Sequence, residues 1–222
     1  MMRAWENRSD TTVMDEPLYA ASLAATGVDH PLRDEVLAAG PTNIDDAIGA
    51  CLAPMTGGSK ISYQKHMAHH LLDHYDRGWL DELIHVLLIR NPRRVLASYV
   101  KVWDQVTVAD IGLPQQIELA ERSVIIIDSD EFLTNPKHYL SAMCDRIGVS
   151  FEDSMLAWPK GRRETDGAWA PAWYSAVEAS TGFGPPPLEP PPPLDKNLEV
   201  VASEADSLYQ QLYQHRYVAD SG

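Results

Sequence analysis

Arg90 closes an apolar run, Val86-Leu87-Leu88-Ile89, and Ser98 follows it by eight residues across an Asn91-Pro92 pair. A guanidinium gives planar, charge-assisted bonds to phosphate oxygens, and a helix opening at Asn91-Pro92 adds free amides and the positive end of its dipole. Two turns into that helix, the Ser98 hydroxyl can meet the same anion. The competing chemistry is an ordinary ion pair between Arg90 and a loop carboxylate. Three more apolar or alternating runs end in polar residues: Asp15 and Glu16, Lys65 and His66, and Asp128 and Asp130. In an open parallel sheet, ligands bind outside the carboxyl ends of the strands, so Lys, His, Arg and Glu gathered at such ends mark a site more strongly together than singly.

The elements that position these residues follow from periodicity. Strands are expected over 11–15, over 61–65 after the Gly57-Gly58 turn, over 85–89 and over 123–127. The last two are continuous apolar runs, as for strands buried on both faces of a parallel sheet. Asn91-Pro92 pairs an N-cap residue with the helical position that welcomes proline, and predicts a helix from Pro92 to about Trp103. Asn135-Pro136 repeats the signal for a helix that stops at Gly148. Ser150 and Asp153 resemble a capping box before Pro159. Residues 158–183, rich in Trp, Gly and Arg, read as a functional loop. Seven of the ten residues from Gly184 to Pro193 are proline, an extended spacer more often a linker than an SH3 ligand. Leu198, Val201, Ala205, Leu208 and Leu212 then fall at helical spacing. Strands alternating with helices imply an α/β fold with a parallel, doubly wound sheet. Residues 1–7 are helix-compatible without a preceding cap, so the chain is expected to begin within an element.

Composition narrows the function. The chain has 222 residues, 45% of them hydrophobic, and 32 acidic against 18 basic residues give a formal charge of −14. That charge repels polymeric nucleic acid and anionic membranes, so neither is an expected partner. Yet Arg90, Arg93, Arg94 and Lys101 form one basic island and Lys160, Arg162 and Arg163 another, which suits a small polyanion, or faces balanced by nearby carboxylates. No apolar run reaches the ~20 residues of a membrane span, and no secretory signal opens the chain, so a cytoplasmic location is expected. Cys51 and Cys144 are expected to be buried free thiols.

The run from Val86 to Tyr99 resembles the 3′-phosphate-binding segment of sulfotransferases that use 3′-phosphoadenosine 5′-phosphosulfate, in which an Arg and a Ser eight residues apart grip the 3′-phosphate. Asp15-Glu16-Pro17-Leu18-Tyr19 is similar to the Glu-Pro-Leu-aromatic segment of the carbohydrate-type members. Gln64-Lys65-His66-Met67 resembles the Lys-and-His segment of the cytosolic branch, although here the two residues are adjacent. Lys160-Gly161-Arg162-Arg163 with Asp166-Gly167-Ala168-Trp169 is similar to the late basic-glycine loop that closes over the nucleotide. The resemblance runs through most of residues 1–183 and implies a P-loop-NTPase-like three-layer sandwich over that stretch. A Pro-rich loop at 184–194 and a C-terminal helix within 195–222, packed on the same domain, complete the expected organisation. The loop that holds the 5′-phosphosulfate in this family has no counterpart. Gly57-Gly58-Ser59-Lys60 precedes a strand and reads as a turn, so the first strand and that loop are expected upstream of Met1.

On this resemblance the acceptor is a hydroxyl or amine of a small molecule or glycan, attacking the sulfuryl group in line, with positioning and charge stabilisation supplying most of the acceleration and no metal required. His66 is the first residue expected to take the acceptor proton and Glu16 the second, while Lys65 places positive charge near the transferring group. Arg90 and Ser98 hold the 3′-phosphate, with Arg94, Arg162 and Arg163 as further nucleotide ligands. A homodimer is left open. Trp158, Trp169, Trp173 and Tyr174 line an acceptor pocket or belong to the core. Three other readings stand beside this one: a zinc site from His66, His70 and His74 if they share a helix face, a catalytically inactive nucleotide-binding or interaction module of the same fold, and a small-molecule kinase, disfavoured by the lack of a phosphate-loop Lys followed by Ser or Thr.

Overall fold

The structure, a computed structural model, describes residues 1–55, 57–101 and 106–219. Four strands are present, β1 (Thr11–Asp15), β2 (Ile61–Lys65), β3 (His85–Ile89) and β4 (Ser123–Asp128). The helices are α1 (Met2–Glu6), α2 (Tyr19–Thr26), α3 (Arg33–Ala39), α4 (Ile44–Cys51), α5 (Pro92–Tyr99), α6 (Leu113–Ala120), α7 (Ser129–Phe132), α8 (Pro136–Ile147), α9 (Ala170–Trp173), α10 (Ser175–Ala179) and α11 (Lys196–Tyr213). The chain divides into two compact units, Met1–Glu82 with Glu152–Phe183, and Leu83–Phe151 with Gly184–Gly222. Each contains one parallel pair of strands, β1 with β2 and β3 with β4. The fold is thus mixed α/β with short parallel sheets, and among the described residues the ladder bonds make two pairs of strands.

In the first unit β1 and β2 run in register from Thr11 opposite Ile61 to Asp15 opposite Lys65, so both strands end at one edge. The turn that delivers β2 uses Gly57 and Gly58 at φ of 69° and 81°, where a side chain would be strained. α1 covers these strands, with Trp5 stacked on Tyr63 at 5.4 Å. Beyond β1, α2 buries Tyr19, Ala20 and Leu23 against Val36, Trp169, Ala170 and Tyr174. The Trp-rich segment is therefore not a bare loop. An Ala157 to Gly182 bridge closes its base, and Trp158 donates Nε1–H to Ser180 Oγ at 3.0 Å.

In the second unit Val86 pairs with Ile125 and Ile89 with Asp128, after an irregularity between His85 and Val86. The core joins Leu87, Ile89, Leu113, Ile126, Ala205, Tyr209 and Leu212. β4 is buried from Ile125 to Asp128, but β3 is not buried on both faces as its apolar run predicts: Leu88 is 41% exposed because its alternate neighbours Leu87 and Ile89 take the covered side. α5 ends at Tyr99, short of the expected Trp103, which lies outside the described residues together with Val102. Its cap is the expected one, Asn91 Oδ1 accepting the Arg93 amide at 3.0 Å. α8 begins at the Asn135 cap and stops at Gly148, left-handed at φ 77°. The helix expected to open at Ser150 is a short 3-10 turn, Asp153–Leu156, in the first unit, with Glu152 at its cap position and no side-chain bond from that cap. α11 buries Ala202, Ala205, Tyr209 and Leu212, a stripe displaced from the one read on aliphatic residues alone because Tyr209 enters the core with its hydroxyl bonded. Residues 184–194 form neither helix nor strand. Among the described residues no helix is long and apolar enough to cross a membrane, and Cys51 and Cys144 are buried free thiols.

Candidate functional site

Parallel pairing brings the carboxyl ends of β1 and β2 side by side, and this is where the first unit concentrates its charge. Asp15 and Lys65 are register partners. The Glu16 amide extends the ladder by donating to the Lys65 carbonyl at 2.8 Å, and the Glu16 carbonyl then accepts the Tyr19 amide at 3.0 Å to start α2. Turning the chain within one residue puts Glu16 at φ 43°, a left-handed conformation that costs energy for a residue with a side chain. Such strain persists where surrounding contacts hold it, and the contacts here are ionic. The Lys65 ammonium bonds Glu16 Oε1, Asp15 Oδ1 at 3.3 Å and the Tyr174 hydroxyl oxygen at 2.7 Å. The Tyr174 O–H in turn donates to the Asp15 carboxylate at 2.8 Å, and the Gly167 amide reaches Asp15 Oδ2 at 3.2 Å.

Two buried carboxylates and one half-buried ammonium leave an uneven balance. Burial raises the proton affinity of Glu16 above the ordinary carboxyl range even though the adjacent Lys65 charge opposes it. Burial works against the Lys65 ammonium too, but Glu16 and Asp15 outweigh it, so the lysine is held charged. The Tyr174 phenol is pushed up by burial and stays protonated. On the far side of Glu16, His70 Nδ1 lies 3.8 Å from Oε2. Burial, with help from His69 and Lys65, drives the His70 pKa well below its usual value and keeps the ring neutral. That ring is 3% exposed and stacks on Tyr19 at 4.4 Å.

The structure therefore brings Glu16 and Lys65 together. His66, by contrast, is exposed beyond the end of β2, with Nε2 3.2 Å from Gln64 Oε1 and its ring 6.2 Å from that of Trp79. The histidine run is not an α-helix: Ala68–His70 is a single 3-10 turn and Leu71 leaves it at ψ 82°, so His66, His70 and His74 do not share a helix face. Among the described residues no His, Cys, Asp or Glu group is arranged to hold a metal ion. Trp169 and Tyr174 belong to the core, with Trp173 packed against it.

The basic-glycine loop has its own anchor. Asp166, its side chain wholly buried, takes Arg3 through both oxygens at 2.6 and 2.7 Å and the Arg163 amide at 2.8 Å. Arg163 reaches Glu6 at 3.5 Å, whereas Arg162 is exposed and has no hydrogen bond or ion pair among the described residues. Gly167 admits no side chain, since a Cβ there would stand 2.1 Å from the Trp169 ring. The Arg3 to Asp166 pair spans 163 residues and gives no local signal; only the acid in Asp166-Gly167-Ala168-Trp169 was legible as part of a motif.

In the second unit Arg90 ends β3, exposed, with no ion pair or hydrogen bond from its side chain among the described residues. Ser98 is also exposed, with its hydroxyl unbonded among them. The rest of the basic island is engaged. Arg93 makes a two-pronged pair with Glu199 at 2.7 and 2.6 Å, while Arg94 forms an ion pair with Asp130 at 2.8 Å and donates to the Glu189 carbonyl at 2.6 Å. Arg94 thereby ties the Pro-rich segment to α5, and with Asn91, Asp130, Glu131, Pro187 and Tyr213 it lines an open cavity of about 380 Å³. The charge-balancing reading thus accounts for Arg93 and Arg94, and leaves Arg90 without a hydrogen bond or ion pair among the described residues.

The family model described as a sulfotransferase domain matches residues 1–212, and the chain belongs to that family. It is similar to two proteins of Arabidopsis thaliana, branched-chain-amino-acid aminotransferase-like protein 1, at 36% identity over 196 residues, and branched-chain-amino-acid aminotransferase-like protein 2, at 34% over 200 residues. Each match covers 86% of this chain but 35% of the relative, so the chain spans about a third of the length of these curated relatives.

Proposed function

We propose that this chain transfers a sulfuryl group from 3′-phosphoadenosine 5′-phosphosulfate to a hydroxyl or amine of a small molecule or glycan, on the three-layer sandwich its family resemblance implies. The observation that carries the reading is Arg90, a strand-end guanidinium left without a protein partner among the described residues, eight positions before an equally unengaged Ser98. Both fit a 3′-phosphate: the guanidinium offers paired donors and full charge, and the hydroxyl a further donor. Arg162, exposed in the anchored loop, serves as a second nucleotide ligand. Arg94 and Arg163 reach a phosphate only by leaving Asp130 and Glu6.

The donor supplies an activated sulfuryl group on a phosphate leaving group. Glu16 receives the acceptor's proton on Oε2, the oxygen that Lys65 does not hold, and its raised proton affinity suits that task. Lys65 keeps its charge and keeps Glu16 oriented. His66, exposed and paired to Gln64, is the second base. Partners are the donor and a small acceptor; a chain with a charge of −14 is not suited to nucleic acid. The test is transfer of radiolabelled sulfuryl from the donor to a panel of phenols, alcohols, amines and oligosaccharides. Transfer that Glu16→Gln lowers by about a hundredfold or more, as for loss of a general base, supports the assignment. Binding of adenosine 3′,5′-bisphosphate without any transfer would establish the non-catalytic module instead.

A further inference from the structure

Glu16 is not alone with its cation. The Lys65 ammonium is shared three ways, among Glu16, Asp15 and the Tyr174 hydroxyl, and that hydroxyl spends its own proton on Asp15. Asp15 is bonded by Lys65, Tyr174 and the Gly167 amide, and its side chain is 1% exposed. Tyr174 is 8% exposed and comes from a segment more than a hundred residues away, the helix pair α9 and α10 packed on α2. The Tyr174 hydroxyl therefore bridges a carboxylate and an ammonium of register partners that touch each other only at 3.3 Å, longer than either of its own bonds to them. We propose that Asp15 and Tyr174 are positioning residues for the Glu16–Lys65 pair: Asp15 competes with Glu16 for the ammonium, and the Tyr174 hydroxyl, by bonding both Asp15 and Lys65, decides how much of that charge Glu16 receives. This rests on the reading of Glu16 as the proton acceptor.

The two residues act with opposite sign. Without the Tyr174 hydroxyl, Asp15 loses a donor and Lys65 an acceptor, so the two close on each other and the ammonium is drawn from Glu16. Without the Asp15 charge, the ammonium belongs to Glu16 alone, and a neighbouring negative charge that raises its proton affinity is gone. The other groups facing this cluster are His70 on the Oε2 side, neutral, with His69, His66 and His30 acting on it, and Tyr63 and the Met1 amino group near Lys65. None of these changes in either variant.

The experiment is a carboxyl carbon-13 NMR titration of Glu16 in the whole chain, its resonance assigned by loss in Glu16→Gln. Tyr174→Phe, which keeps the ring 5.1 Å from the ammonium, should move the Glu16 midpoint upward by about one pH unit, and Asp15→Asn should move it downward by a similar amount. Loosened packing would move both the same way, and shifts of one sign, or none, overturn the proposal. If Asp15→Asn does not fold, Lys65→Met replaces it: removing the cation outright must raise the midpoint further than Tyr174→Phe does, and a smaller rise overturns the proposal. Because the readout is a titration, it stands or falls separately from the transfer assay that tests Glu16 as the base.

Discussion

Asp166→Asn is the substitution whose cost is best defined by the first unit. The Asp166 side chain is wholly buried, Arg3 is 3% exposed, and the two meet through paired contacts of 2.6 and 2.7 Å. Breaking a buried pair from one side leaves the other charge stranded, at about 3–5 kcal/mol. Asparagine retains one oxygen for Arg3 or for the Arg163 amide, which places the expected loss near the lower end, about 3 kcal/mol, or roughly 6–12 °C for a chain of this size. Burial alone would push the Asp166 carboxyl up, but the Arg3 hydrogen bond, the Arg163 amide and the Arg3 charge outweigh it and hold it below the ordinary range. A depressed folded pKa means that the stabilisation is fully present above the unfolded carboxyl value and is lost as pH falls through the folded one. Urea unfolding followed by tryptophan fluorescence between pH 7 and pH 3 reads both effects. The native chain should lose stability toward acid more steeply than Asp166→Asn, and the gap between them should narrow. A loss below about 1 kcal/mol at pH 7, the range of an exposed ion pair, would refute the assignment of this pair as the anchor of the basic-glycine loop.

Further predictions concern the second unit. Gly148 ends α8 at φ 77° with open space where a Cβ would stand, so Gly148→Ala should cost about 1 kcal/mol in urea unfolding through backbone strain alone, and a neutral result would contradict the left-handed cap. Tyr209→Phe removes the only side-chain donor to Asp128 among the described residues, at 2.8 Å, and should cost about 1–3 kcal/mol. Burial already raises the Asp128 carboxyl, and Tyr209 partly offsets this. A raised folded pKa means stabilisation present below the unfolded value and lost as pH rises through the folded one, so the Tyr209→Phe penalty should be larger at pH 8 than at pH 5. An equal penalty at both would show that the hydroxyl does not bear on Asp128.

Much of this was legible from local chemistry. The limits of β1, β2 and β3 agree with the β-rich runs, and α5 and α8 start at their Asn-Pro signals because capping is decided within four residues. Gly148 stopped a helix for the same local reason. What was not legible depends on distant partners. The exposure of Leu88 depends on which face of β3 is covered, and the α11 stripe hinges on Tyr209 finding Asp128. At the site, Glu16 and Lys65 were visible as strand-end residues, but ranking His66 ahead of Glu16 relied on the unperturbed pKa of imidazole. The fold leaves His66 exposed and buries Glu16. Asp15 reads from sequence only as a strand terminus and Tyr174 only as an aromatic of the loop, because the bonds joining Tyr174 to Lys65 and to Asp15 cross 109 and 159 residues of sequence. Arg93 and Arg94 looked equivalent to Arg90 in a basic island until Glu199 and Asp130 were seen to hold them.

The central claim, that Arg90 is a nucleotide-phosphate ligand, is tested most directly by thermal unfolding with and without adenosine 3′,5′-bisphosphate. At a hundredfold excess over its dissociation constant, a ligand bound only to the folded chain adds about 2.7 kcal/mol. The native chain should show that stabilisation, and Arg90→Ala, which disturbs no hydrogen bond or ion pair among the described residues, should keep the native melting temperature without ligand and lose most of the gain with it. Equal stabilisation of both proteins would contradict the account.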